Sequence, residues 1–447
     1  MLTIRERYAI HFETRLRSYR AAMEKNQIEH LILSSGQPFV YYLDDQEAPF
    51  RALPHFRHWC PLNEPQHYLL LSLTDKPKLY FFDAKDFWHE HSHWQDAYWA
   101  AFFEVKSYDD ADALWRELQK TLPSSAFIGQ ESEQTRVAAL GWQSIPERLM
   151  AALDWERAVK SDYEIYCLSE ANRLGAIAHI KARELFAAGA SEFEVHIAFL
   201  QALQCMEEEL PYPTIVGMDT KSAILHYRQK RKSRDHTVML IDAGARYEGY
   251  CSDITRTYVR ENAFQLFIDL LRAMEQDQQQ LCLAVQSGVK FLDLQVQYIK
   301  LCSDLLIRSG VMQGCSIDFL MENQLTYVFY PHGLGHMLGL QVHDVGGLQI
   351  NRYGDKSEPC TQYPKLRMRR PLRAGEVVTI EPGLYFIPMR LDAYRQGTFA
   401  KYFNWPLIDK LIPLGGIRIE DDVLALPETR DNLTRRYLAN EFLIPAH

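Results

Sequence analysis

The sequence predicts an α/β N-terminal domain followed by a larger α+β domain. Three observations predict it. The first 150 or so residues alternate short apolar runs with helical patterns, and near residue 155 the text changes to a long helical region. From His236 onward strand patterns dominate, with acidic residues set into apolar runs. A chain of 447 residues is also too long for one ordinary core, so the boundary is placed to give domains of 1–155 and 156–447.

In chain order, Arg5 to Asn26 reads as a helix and His30 to Ser34 as a buried strand. His67 to Leu73 and Lys78 to Phe82 read as strands, and a helix is expected around Asp109 to Thr121. Asp44 to Leu62, with three prolines and several aromatics, reads as a long irregular loop packed on its own domain. Lys160 to Ala188 predicts a long helical region ending at Gly189. Ser191 to Glu209 predicts another, opened by a Ser-x-x-Glu box at Ser191 and Glu194.

Composition excludes several classes. The net charge of -9 argues against a nucleic-acid binder, which needs a basic excess to neutralise phosphates. No stretch approaches the ~20 apolar residues of a membrane span, and the charged N-terminus does not read as a signal peptide. The 8 cysteines lack paired spacing, so reduced thiols in the cytoplasm are expected.

Chemistry is concentrated in the acidic strand residues. In TVMLIDAGARYEGYCSDITRTYV, Asp242 ends one predicted strand and Asp253 lies within the next. Strand alternation puts Asp253, Thr255 and Thr257 on one face, so Thr255 is expected to support Asp253. Glu381 closes the β-branched run of EVVTIEPGLYF, and Arg418 shares a face with Glu420 in GGIRIEDDVLAL. A carboxylate in such apolar text must be paired, protonated or bound to a metal. The segment YPHGLGHMLGLQVHDVGG adds His332, His336 and His343. His332 and His336 have the spacing of a zinc helix, but the Glu of H-E-x-x-H is missing and the glycines oppose a helix, so that motif is rejected. Two Asp, two Glu and one His make an oxygen-rich donor set. About two divalent cations would neutralise it, with manganese favoured over zinc.

The order Asp242, Asp253, His336, Glu381, Glu420 in these settings resembles the metallopeptidases of the pita-bread fold. Within them, VHDVGG, SAILHY and DDQEAPFRALPHFRHWCPL are most similar to the bacterial X-Pro dipeptidase (prolidase) branch, close to organophosphorus acid anhydrolase. The resemblance implies a pita-bread catalytic domain with a curved antiparallel sheet, two manganese ions held by those residues with Asp253 and Glu420 bridging, and a shared water that attacks the scissile carbonyl.

It also implies roles for other residues. Glu381 would move the proton toward the leaving nitrogen. His226 and His343 would flank the carbonyl, with His332 in support and Arg418 tying down the ligands. Arg367, or next Arg370, would grip the proline carboxylate, and Tyr212 would pack in the substrate pocket. Asp45 would reach a partner subunit's substrate, which implies a homodimer. The expected activity is hydrolysis of X-Pro dipeptides, with organophosphorus esters as a side reaction. Aminopeptidase P chemistry on longer X-Pro peptides is the alternative, and an inactive binding module is the alternative of another class.

Overall fold

The computed structural model describes residues 2–83, 85, 87, 93–122, 125–439 and 442–445. Two units separate. The first comprises Met1–Arg157, Ser161–Ile165 and Gln349–Lys356, and the second Ala158–Lys160, Tyr166–Leu348 and Ser357–His447.

The first unit is built on a six-stranded mixed sheet of β1 (His30–Ser34), β2 (Tyr68–Ser72), β3 (Lys78–Phe82), β4 (Glu104–Tyr108), β5 (Ser125–Ile128) and β6 (Gln143–Ser144), in the order β4-β3-β2-β1-β5-β6. β1 runs antiparallel to β2 and parallel to β5. The helix Ala111–Thr121 buries Leu114, Trp115 and Leu118 against Ile32, Tyr68, Leu70 and Phe127. The first helix, Ile4–Lys25, starts at a capping box between Thr3 and Glu6. Asp44–Leu62 is less irregular than expected. Pro54–Arg57 forms one helical turn, because Pro54 supplies a fixed φ at its start and Phe56 and Trp59 are buried.

In the second unit the helix Glu192–Leu203 begins at the Ser191–Glu194 capping box. It ends earlier than the sequence suggests. Gln204 adopts φ 52, a left-handed conformation that stops the helix, and Glu207–Glu209 is a separate 3-10 turn. The strands are β7 (Ile215–Met218), β8 (Val238–Asp242), β9 (Arg246–Tyr247), β10 (Tyr250–Cys251), β11 (Thr255–Arg260), β12 (Val377–Ile380), β13 (Gly383–Tyr385), β14 (Gly416–Arg418), β15 (Asp421–Ala425), β16 (Arg430–Asn432) and β17 (Leu443–Ile444). They form the sheets β17-β11-β8-β7, β12-β15-β16, β13-β14 and β9-β10. A bridge between Thr255 and Glu420 joins β11 to the turn between β14 and β15. The helices Gln265–Leu283 and Phe291–Arg308 bury Phe267, Leu271, Met274 and Tyr298 in one cluster with Val378, Ile380 and Val423. Among the described residues no helix is long and apolar enough to cross a membrane. All 8 cysteines are free.

Candidate active site

Strand ends and the turns beside them carry the acids of the second unit. Asp242 is the last residue of β8, paired with Thr255 across the sheet. Asp253 is not within a strand, as the alternation predicted. It lies in the break between β10 and β11, where Ser252, Asp253 and Ile254 leave the extended ladder. Glu381 follows β12, and Glu420 sits between β14 and β15. His336 is on irregular backbone laid along β12. Thr379 N–H donates to His336 O at 2.9 Å and Leu338 N–H to Val377 O at 3.0 Å. Gly335 makes this approach possible, since a Cβ there would meet Thr379 O at 2.0 Å.

The side chains converge. Asp253, His336 and Glu420 offer donor atoms that all lie within 4.8 Å of one another. His336 Nε2 is 3.4 Å from Asp253 Oδ2 and 3.8 Å from Glu381 Oε1. Asp242 Oδ2 accepts from Arg418 Nη2 at 2.5 Å. Its other oxygen is buried with no hydrogen-bond partner among the described residues.

Electrostatics indicate what this set accommodates. Burial raises the Glu420 carboxyl well above its usual value, and repulsion from Asp253 adds to it. Burial pushes Glu381 up to about 7, and burial raises Asp242 as well. His336 donates Nδ1–H to Met337 O at 3.0 Å, so Nε2 is the nitrogen turned to the carboxylates. A lone pair facing carboxylate oxygens at 3.4 and 3.8 Å is favourable only with a proton or a cation in place. An imidazole nitrogen, an orphaned carboxylate oxygen and three further carboxylates therefore fit divalent metal ions.

A layer of donors holds these groups. Tyr212 donates its hydroxyl to Asp253 Oδ1 at 2.5 Å, so it orients that acid. The family resemblance implies only a place in the substrate pocket for it. Thr255 donates to Glu420 Oε2 at 2.7 Å and accepts from Arg418 Nε at 3.2 Å. It therefore supports Glu420, and the expected support of Asp253 is corrected, because Asp253 precedes β11 and does not share its alternation. Arg418 Nη1 donates to the Tyr385 hydroxyl at 3.0 Å, which lies 2.8 Å from His332 Nε2. His332 donates Nδ1–H to Gly333 O at 2.9 Å, and burial lowers its imidazole to about 3. It is neutral, and Tyr385 donates to it.

His343 is exposed, with its ring 4.3 Å from that of His336. Burial and the charges of His336, Arg367 and His226 bring it down to about 4. Both His226 and Arg367 are exposed and within electrostatic reach of it. Arg370 is engaged elsewhere. Its guanidinium is buried, makes 2.6 and 2.9 Å bonds to Glu376 and also donates to Gly346 O. That removes it as a carboxylate reader. Asp45 belongs to the first unit, in an exposed loop.

Two supporting residues escaped the sequence reading. Tyr385 stands in the TIEPGLYF segment, and Asp422 in the acidic run after Glu420. Asp422 Oδ2 accepts the Asp253 N–H at 3.1 Å and Asn172 Nδ2 at 2.8 Å. Their closeness in sequence to Glu381 and Glu420 was the available signal.

Comparison with known proteins agrees with this geometry. Residues 166–426 match the model of metallopeptidase family M24, and residues 6–155 match that of the Xaa-Pro dipeptidase N-terminal domain. The chain belongs to metallopeptidase family M24. As an M24 member it is a peptide hydrolase built for divalent metal ions. The Xaa-Pro dipeptidase of Shewanella woodyi is 38% identical over 441 residues, covering 96% of this chain and 99% of the relative. That of Edwardsiella ictaluri is 36% identical, covering 97% and 99%. Among solved structures, aminopeptidase P from Escherichia coli in its low-pH form superposes with a TM-score of 0.75 at 22% identity, covering 98% of this chain and 97% of that one. This likeness establishes the shared pita-bread architecture of the M24 domain and its N-terminal partner.

Proposed function

We propose that the chain hydrolyses dipeptides with proline in second position. The observation that carries this reading is the match to the Xaa-Pro dipeptidase N-terminal domain together with an M24 site where an exposed arginine, Arg367, acts electrostatically on His343. Asp242, Asp253, His336, Glu381 and Glu420 would hold two ions, manganese by donor chemistry. When bound, they supply a more acidic water and positive charge opposite the developing oxyanion.

The protein's own groups do the rest. The leaving nitrogen of an X-Pro bond is a tertiary amide without N–H, so it must gain a proton to depart. Glu381, which lies 3.8 Å from His336 Nε2 among the clustered acids, would take a proton and return it there. His343 and His226 would donate to the carbonyl oxygen and position the substrate, with His332 in support. Arg367 offers the planar fork that pairs with a free proline carboxylate, and such a pairing excludes peptides extended beyond proline. Asp45 would meet the substrate amine from a second copy of the chain, which makes the working form a homodimer.

The test is hydrolysis of Ala-Pro by chelator-stripped protein before and after manganese is returned, with Ala-Pro-Ala and Ala-Ala alongside. Metal-dependent cleavage of Ala-Pro alone is expected. Cleavage of Ala-Pro-Ala at an equal rate would make the chain an aminopeptidase P in activity, as its structural neighbours are by name.

A further inference from the structure

A second cluster of ligating side chains lies in the first unit. His11 is on the first helix, His58 follows the short helix Pro54–Arg57, and Glu164 is in the first turn of the helix Asp162–Ala187. Their side chains are each at most 1% exposed. His58 Nε2 lies 3.4 Å from Glu164 Oε1, and His11 Nδ1 lies 3.8 Å from Glu164 Oε2. Donor atoms of all three lie within 4.8 Å of one another.

The tautomers are set for ligation. His11 donates Nε2–H to His58 O at 2.9 Å, which leaves the Nδ1 lone pair turned to Glu164 and to Ser161 Oγ, 2.8 Å away. His58 Nδ1 is 3.3 Å from the Tyr19 hydroxyl. Its Nε2 is buried without a hydrogen bond among the described residues. Burial lowers His58 to about 3 and lowers His11 as well, so both imidazoles are neutral at pH 7. Against the upward push of burial, the Arg15 guanidinium favours the charged Glu164 carboxylate.

We propose that His11, His58 and Glu164 form a structural binding site for one zinc-class divalent ion, apart from the hydrolytic cluster. Tetrahedral zinc, with bonds of about 2.0–2.1 Å, sets its donor atoms about 3.3 Å apart. The separations of 3.4 and 3.8 Å approach that spacing before any adjustment. Two imidazoles and one carboxylate suit zinc better than magnesium or calcium, which prefer all-oxygen shells. Ser161 Oγ or a water would complete the four. The ion would neutralise a buried carboxylate and staple three segments that are far apart in sequence, which is what structural zinc does in small domains.

The experiment uses the full chain with Asp253→Ala and Glu420→Ala, which empty the hydrolytic cluster. After zinc loading and a chelator wash, elemental analysis is expected to find one zinc per chain. His58→Gln in the same background is expected to reduce it to none. Zinc at about 100-fold over its dissociation constant should raise the thermal midpoint of the parent by roughly 3 °C. If His58→Gln does not fold, cobalt(II) in the parent decides, because a four-coordinate site gives strong visible bands. A zinc-free parent, a count unchanged by His58→Gln, or only the weak bands of six-coordinate cobalt would overturn the site and leave a hydrogen-bonded network.

Discussion

Arg418 donates to Asp242 Oδ2 at 2.5 Å while its Nη1 reaches the Tyr385 hydroxyl at 3.0 Å. One buried cation thus aims a carboxylate and, through Tyr385, fixes His332. Arg418→Lys keeps the charge but cannot make both contacts at once. Manganese affinity is expected to fall about 10- to 100-fold, with activity recovered at high metal. Titration of chelator-stripped protein measures it, and an unchanged affinity would mean that Asp242 needs no such support.

The two arginines near the proposed substrate carboxylate should separate cleanly. Arg367→Ala is expected to raise KM for Ala-Pro by about 10- to 100-fold, the worth of a charge-assisted hydrogen-bond pair, with little effect on melting. Arg370→Ala should instead destabilise the fold by about 2 kcal/mol, because buried Glu376 loses its bidentate partner and keeps only Arg373, whose N–H and Nε donate to it at 2.9 and 2.8 Å. Steady-state kinetics and denaturant unfolding on both variants check the pair. Equal KM effects with equal stability would reverse the assignment.

Much of this site was legible because its clustered acids interrupt strong strand patterns. Asp242 after VMLI and Glu381 after VVTI stand at strand ends in the structure as they do in the text. The placement of Asp253 was not legible, since three residues leave the ladder between β10 and β11 and break the alternation on which the face assignment rested. Arg370 was misjudged for a related reason. In a run of four arginines, nothing local distinguishes one that turns inward to Glu376 from one that faces solvent. The strands His30–Ser34 and Lys78–Phe82 were read to the residue, because apolar runs bounded by polar residues leave few other choices.

Asp277 offers a test of burial away from the hydrolytic cluster. It is 7% exposed on the helix Gln265–Leu283, and Oδ2 lacks a hydrogen-bond partner among the described residues. Burial pushes its carboxyl up to about 6, partly opposed by Arg308. The folded value is above the unfolded one, so the native state favours the protonated form. Its contribution to stability is complete below about pH 4 and is lost as pH rises through about 6. Asp277→Asn should therefore be more stable than wild type at pH 8 by on the order of 2 kcal/mol, and no different at pH 4. Unfolding curves at the two pH values give the answer. A stability difference independent of pH would show that ionisation of Asp277 costs nothing.

Lys160 makes the last case, because its effect on activity must be indirect. Its ammonium donates to Asp344 Oδ2 at 2.8 Å, and both side chains are 1% exposed. Asp344 directly follows His343, and its N–H donates to Met337 O at 2.9 Å, next to His336. The ion pair therefore anchors the turn that carries both histidines. Lys160→Met removes the cation from a buried carboxylate and should lower stability by about 3 kcal/mol or more. Lys160→Met with Asp344→Leu removes both charges at similar volume and should recover most of that loss, since a buried pair is often replaceable by apolar packing. The histidine turn would still lack its polar anchor, so kcat for Ala-Pro should stay depressed in the double variant while stability returns. Recovery of kcat together with stability would mean that the pair serves the fold alone and has no part in placing His343.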